Sequence, residues 1–157
     1  MKALLSEGNV CPICGEGEVQ RKTTTETFTY KGHRLRIPNY PVYRCSQCKE
    51  ELLDQSLIQP HQQQIAAWQR GIDGLLAAEE IRVLRKSLGL TQEELSLLLG
   101  GGKKAFARYE RGSVCQSVAM DNLLRAVQKH PELLLEFAKA RRVALAPSKQ
   151  RRLREAA

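Results

Sequence analysis

The sequence predicts an α+β chain in which a small β domain leads and an all-α domain follows. Three observations carry that reading. Four of the five cysteines form two tight pairs, Cys11/Cys14 and Cys45/Cys48, with β-favouring residues between them. From Ala77 onward, apolar residues recur at helical spacings of three and four. The charge is also lopsided: of a formal net +8, residues Met1–Ala78 hold 9 basic and 8 acidic side chains (+1), and Glu79–Ala157 hold 16 and 9 (+7).

A length of 157 residues accommodates two compact domains. No apolar run approaches the roughly 18 residues of a membrane span, and Met1–Val10 lacks the apolar core of a signal peptide. A soluble, cytoplasmic protein is expected, in a reducing compartment where such cysteine spacing means metal binding rather than disulfides.

Residues 1–60 form the first expected domain. Thr, Phe and Tyr flank Lys31-Gly32 between Val19 and Ile37, which reads as a hairpin with a glycine turn. Pro38 and Pro41, lacking an N–H, are expected to interrupt the ladder before Val42-Tyr43-Arg44 leads into the second cysteine pair. Cys11-Pro12-Ile13-Cys14-Gly15 has the form of a metal knuckle, its glycine freeing backbone N–H groups to face sulfur. Two knuckles around a β excursion make a zinc-ribbon-like arrangement. The predicted ligands of one structural Zn²⁺ are Cys11, Cys14, Cys45 and Cys48. Four thiolates close the shell, which argues against hydrolytic zinc chemistry and for folding energy supplied by the metal. With the ion bound, the N-terminal half would carry about −1. A redox dithiol pair would need a βαβ context that this segment lacks. His33 and His61 read as surface histidines, and Cys115 as a small buried or half-exposed thiol.

Asp54 to Arg70 looks helical but thinly apolar, ended by Gly71 and Gly74; residues 61–76 are the expected linker. Five helices are expected in 77–140. Ile81, Leu84 and Leu88 form the first buried stripe, which Gly89 stops. Thr91 with Glu94 makes a capping box for the second helix, whose buried face is Leu95, Leu98 and Leu99. Gly100-Gly101-Gly102 turns the chain, and Lys103–Arg111 forms a third helix with Phe106 and Tyr109 inward. Ser117–Lys129 and Glu132–Ala140 complete the set, separated by His130-Pro131. Residues 141–157, rich in Ala, Lys and Arg without periodicity, read as a basic flexible tail.

Helix, glycine turn and basic helix together read as a helix-turn-helix, whose second helix enters the major groove. Lys103, Lys104 and Arg108 are the predicted DNA-contacting residues of that helix. Arg108 suits guanine O6/N7, and the lysines suit base or phosphate. Thr91 and Gln92, at the N-terminus of the preceding helix, are placed for phosphate. A helical bundle with merely solvated lysines is the plainer alternative. The triple glycine, the inward aromatics and the +7 half favour DNA.

Leu90-Thr91-Gln92-Glu93-Glu94-Leu95, the Gly100-Gly101-Gly102 turn and the segment Ala105-Phe106-Ala107-Arg108-Tyr109-Glu110-Arg111-Gly112 resemble the Cro/repressor-type (XRE, lambda-repressor-like) helix-turn-helix. Further matching stretches are Cys11-Pro12-Ile13-Cys14, Tyr43-Arg44-Cys45-Ser46-Gln47-Cys48, Asp121-Asn122-Leu123-Leu124-Arg125 and Lys129-His130-Pro131-Glu132-Leu133. With these included, the chain to about Phe137 resembles the MqsA/YgiT-type antitoxins. The resemblance implies a type II antitoxin: a zinc domain that neutralises a partner toxin, often an mRNA-cleaving ribonuclease, and a C-terminal domain that dimerises and represses the shared operon at a palindromic operator. That family reads bases with an Asn and an Arg. Arg108 matches the Arg, and Lys104 stands where the Asn would be. The helix over Ser117–Lys129 and its successor are the expected homodimer contact. A stand-alone XRE-type regulator with a metal- or redox-sensing ribbon is one alternative, and an RNA- or protein-binding zinc-ribbon adaptor with no operator is another. An enzyme is not expected, because the chain shows no Ser/His/Asp or Cys/His set, no phosphate loop and no open metal shell.

Overall fold

The computed structural model describes residues 5–156. It contains three antiparallel strands in the order β1-β2-β3, namely β1 (Val19–Tyr30), β2 (His33–Cys45) and β3 (Glu51–Leu52). Seven helices follow among the described residues: α1 (Gln55–Asp73), α2 (Ala78–Ser87), α3 (Gln92–Leu99), α4 (Ala105–Glu110), α5 (Val118–Lys129), α6 (Leu133–Ala140) and α7 (Pro147–Glu155). The α+β class holds. Two compact units divide the chain, one to Ile65 and one from Ala66, so the boundary falls inside α1.

In the first unit the hairpin turns at Lys31-Gly32. Both residues have positive φ (46° and 80°), as a two-residue type I′ turn between paired Tyr30 and His33 requires. The ladder does not stop at the prolines. A bulge opposite Thr24/Glu26 absorbs Pro38 and Asn39, the latter at φ 56°, and pairing resumes with Tyr40 opposite Thr24 and Pro41 opposite Thr23. Cys45 N–H donates to Glu50 on the β3 side. By strand alternation Pro41 faces that same side, where β3 has already ended at Leu52, so its missing N–H leaves no ladder bond unmade. This corrects the expected interruption.

The two faces of β2 pack separately. Ile37, Tyr40 and Val42 form one small cluster, covered by Phe28, Leu35 and, from α1, Ile58 and Ile65. Tyr43, Val19, Cys11 and Cys45 form another, with Leu52 and Leu57 against it. Asp54 opens α1 by accepting from the Ser56 hydroxyl and from Ser56 N–H at 2.9 Å, bonds that hold its carboxyl below the usual range. The helix expected over Asp54–Arg70 is present and runs on to Asp73, so the linker expected over 61–76 is helical past Gly71 rather than hinged there. Gly71 lies within α1, which ends at Gly74 (φ 64°), and Arg70 and Leu76 are buried. Gly71 costs the helix about 1 kcal/mol relative to alanine, a penalty that burial of Arg70 beside it can offset.

In the second unit one apolar cluster runs from Leu76 to Leu153, with Ile81, Leu95, Phe106, Leu124, Val127 and Leu134 fully buried. The five helices expected between 77 and 140 are α2 to α6. The capping box at Thr91 is formed: Glu94 N–H donates to Thr91 Oγ1 at 3.1 Å, and Thr91 N–H to Glu94 Oε2 at 2.8 Å. Residues 141–157 were expected as a flexible tail, and this is the clearest departure. Pro147 starts a helix at its first position, Leu145 and Leu153 enter the core, and Lys149 pairs with Glu94 at 2.7 Å. Two apolar residues eight apart were too sparse to register as a helical stripe.

Candidate functional site

The first site is built by the hairpin register. Val19, the first residue of β1, pairs with Cys45, the last of β2, so the chain entering β1 and the chain leaving β2 lie at one end of the ladder. Both knuckles therefore meet there. The Cys11, Cys14, Cys45 and Cys48 sulfurs all lie within 4.8 Å of one another. Cys11 and Cys48 are 3.9 Å apart, and Cys14 and Cys45 3.7 Å. A disulfide would need about 2.05 Å. A tetrahedron with metal–sulfur distances near 2.3 Å has edges of about 3.8 Å, so the spacing fits one ion. Cys11 and Cys45 are 1% exposed.

Backbone donors surround the sulfurs. Ile13 N–H points at Cys11 Sγ (3.4 Å), Gly17 N–H at Cys14 Sγ (3.4 Å) and Gln47 N–H at Cys45 Sγ (3.3 Å). The N–H groups of Gly17 and Glu16 lower the Cys14 thiol to about 6. Burial opposes ionisation of Cys45, yet the Cys48 and Gln47 N–H groups bring it down. Cys48 is helped by the Glu50 N–H, but burial and the three neighbouring sulfurs push it up to about 12. The neighbouring sulfurs thus oppose ionisation of Cys48, and a divalent cation would supply the missing counter-charge. The donor set is all sulfur and could hold a metal ion, with no position left open for water.

Gly17 was not singled out in the sequence. A Cβ there would stand 2.5 Å from Cys45 Sγ and 2.9 Å from Gln47 N. The close approach of the two knuckles therefore depends on its missing side chain. A glycine three residues after Cys14 was the available signal. His33 lies exposed on β2. His61 packs its ring 5.0 Å from Tyr40, and neither histidine joins the thiol group.

The second site is the α3–α4 corner. Gly100, Gly101 and Gly102 all have φ near +90°, and a Cβ on Gly101 would sit 3.1 Å from Ala105 Cβ. Ser96, 2% exposed, back-bonds to Gln92 O, and Phe106 N–H reaches its hydroxyl at 3.5 Å. Phe106 is fully buried, with Tyr109 edge-on at 5.5 Å. These contacts leave Arg108 exposed on the opposite side of α4, whereas Lys103 and Lys104 are exposed in the turn before the helix, which starts at Ala105 rather than at the expected Lys103. Thr91 is exposed at the α3 N-cap. Gln92 is half-buried, its amide donating to Glu110 Oε2 at 2.8 Å.

That bond belongs to a lock the sequence did not reveal. Arg85 of α2 grips both oxygens of Glu110, Nη2 to Oε2 at 2.9 Å, and its Nη1 reaches Leu90 O at 2.8 Å. Glu110's side chain is 2% exposed. Burial would raise its carboxyl, but Arg85 and Gln92 hold it below the usual range. One carboxylate thus ties α2, α3 and α4 together. A second network closes the base of the unit. Asp121 accepts from Leu76 N–H (2.8 Å), Gln116 Nε2 (3.0 Å) and Arg125 Nε (2.7 Å), while Arg70 reaches Gln116 Oε1 (3.1 Å) and the carbonyls of Tyr109 and Val114. Burial raises and Arg125 lowers the Asp121 carboxyl, with a net fall. Burial pushes the Cys115 thiol up, and its sulfur rests on Ala66 O at 3.2 Å. No helix among the described residues is long and apolar enough to cross a membrane.

A ribbon-like β unit carrying four convergent thiols, followed on the same chain by an all-helical unit, defines a two-module protein of metal-knuckle and helical-bundle type. The family described as the antitoxin component of bacterial toxin–antitoxin systems, MqsA, matches residues 9–138. The chain belongs to that family. It is 33% identical over 128 residues to Antitoxin MqsA of Escherichia coli strain K12, a match that spans 81% of this chain and 98% of the relative.

Proposed function

We propose that this protein is a type II antitoxin and operator-binding repressor that works through two separate modules. Cys11, Cys14, Cys45 and Cys48 hold one structural Zn²⁺, which fixes the β unit as the surface that neutralises a cognate toxin. The tetrahedral spacing and all-sulfur donor set support zinc over harder cations, which prefer oxygen. The second unit is a helix-turn-helix of the XRE kind. It binds a palindromic operator as a homodimer through α5 and α6, with half-sites about 34 Å apart. The protein acts in the cytoplasm, on nucleoid DNA, and is not an enzyme.

One observation carries the DNA reading: Glu110 locks α4 to α2 and α3 from behind, and Lys103, Lys104 and Arg108 are exposed in front. A helix fixed on one side and cationic on the other suits a phosphate-lined groove. Arg108 takes guanine, Lys103 and Lys104 take base or phosphate, and Thr91 takes phosphate at the α3 N-terminus. Gln92 serves the same phosphate only if its amide leaves Glu110. Footprinting on the protein's own promoter tests this. Arg108→Ala should cost about 1–3 kcal/mol and relax base preference at one position of each half-site. An unchanged footprint and affinity would defeat the assignment. Co-purification with the product of the adjacent reading frame tests the toxin half, and Cys45→Ser should abolish it.

A further inference from the structure

We propose that the C-terminal extension, residues 141–155, is a second DNA-contacting element that clamps backbone phosphates flanking each operator half-site. This rests on the DNA-binding reading above and adds a contact surface to it. The family match ends at residue 138, so the extension lies outside the shared region. It is nevertheless built into the fold. Arg141's guanidinium lies 4.0 Å from where a Cβ of Gly100 would stand, at the C-terminal end of α3. Lys149 Nζ then meets both oxygens of Glu94 at 2.7 Å in the first turn of α3, and Arg152 lies over Gly89, just before it. Leu153 is fully buried. The segment therefore follows α3 back to the end where Thr91 and Gln92 stand.

The positions left over are cationic. On α7, Lys149 is neutralised by Glu94 and Leu153 faces the core, while Arg151, Arg152 and Arg154 are exposed. Against them stands one acidic residue of the helix, Glu155. Arg151 and Arg154, three apart, share the face turned away from Leu153. Arg151, Arg152 and Arg154 make no ion pair among the described residues, although Glu136 lines the same groove as Arg154, and on a short, anchored helix beside a helix N-terminus they form a phosphate-seeking surface; they carry no base-reading geometry. Duplex DNA is the partner favoured, because the neighbouring α3 terminus and α4 face already point to it.

The test uses the full chain and its own promoter in duplexes of two lengths, one ending at the half-sites and one extended by several base pairs on each side. Affinity is measured against salt for the wild type, for the triple variant Arg151→Gln, Arg152→Gln, Arg154→Gln, and for the same positions changed to Lys. Gln retains helix propensity, and circular dichroism with thermal melting checks the fold. The wild type should bind the longer duplex more tightly and with a steeper slope, by about 0.9 for each added phosphate contact. The Gln variant should lose that increment while still binding the short duplex, and the Lys variant should keep it. Equal slopes for wild type and Gln variant on the long duplex overturn the proposal and leave the operator reading intact. No discrete wild-type complex on either duplex overturns both. A Gln variant that loses affinity by becoming monomeric assigns the extension to the dimer contact and also overturns it.

Discussion

Residues 5–54 and the helical unit bury apolar surface on very different scales. Among the described residues, the β unit has two clusters of four and three buried side chains, and two of those seven are cysteines. The helical unit has one cluster of sixteen. At roughly 25 cal/mol per Å² of buried apolar surface, the second can stand on its core, whereas the first falls in the range where small domains need a staple. On the proposal that the four thiols hold zinc, they supply the staple that the small clusters of one module lack, while the polar locks of the other orient helices that already pack.

The sharpest way to break this contrast is at the thiols. Cys45→Ser removes one of the four proposed zinc ligands, a side chain 1% exposed; on that proposal the β unit should lose metal binding and its cooperative melting together, with the helical unit's transition unchanged. The mirror experiment is Phe106→Ala. Emptying that fully buried site should cost the helical unit about 3–5 kcal/mol by denaturant titration, with metal content unaffected.

Glu110→Ala should follow, at about 3–5 kcal/mol, because it strands the Arg85 guanidinium at 12% exposure. Its pH signature is separable. The folded Glu110 carboxyl lies below the usual 4.5, so its stabilisation is fully present above that value and is lost as pH falls through the folded one. Glu94 and Asp121 act in the same direction, so the helical unit should weaken in acid, and Glu110→Gln should weaken less steeply. The smallest expected effect is the most local. Gly17→Ala pushes the Cys45–Gln47 segment away from the first knuckle and should weaken metal binding by roughly ten- to a hundredfold in competition with a chromophoric chelator, without touching operator affinity.

Much of this arrangement was legible in the chain. The two Cys-x-x-Cys pairs, the Lys31-Gly32 turn, the Thr91/Glu94 cap and the inward Phe106 each follow from local chemistry, and each stands where expected. What was not legible depends on contacts distant in sequence. Glu110 reads as one more surface charge until Arg85, 25 residues earlier, is seen to grip it. Pro41 looks like a strand breaker until its open edge is known. Leu145 and Leu153 looked stranded in a basic tail, because the core that receives them comes from other helices. Asp121 and Gln116 are polar residues of unremarkable spacing whose burial is decided by Leu76 and Arg70.

Thiol ligation, as proposed, holds one module, and apolar packing holds the other. Hydrogen exchange on the intact chain, followed residue by residue before and after metal removal under reducing conditions, measures both at once. Protection should collapse through β1, β2 and the two knuckles while the amides of α2 to α6 keep theirs. Unchanged protection in the β unit, or an equal loss in both, would contradict this division.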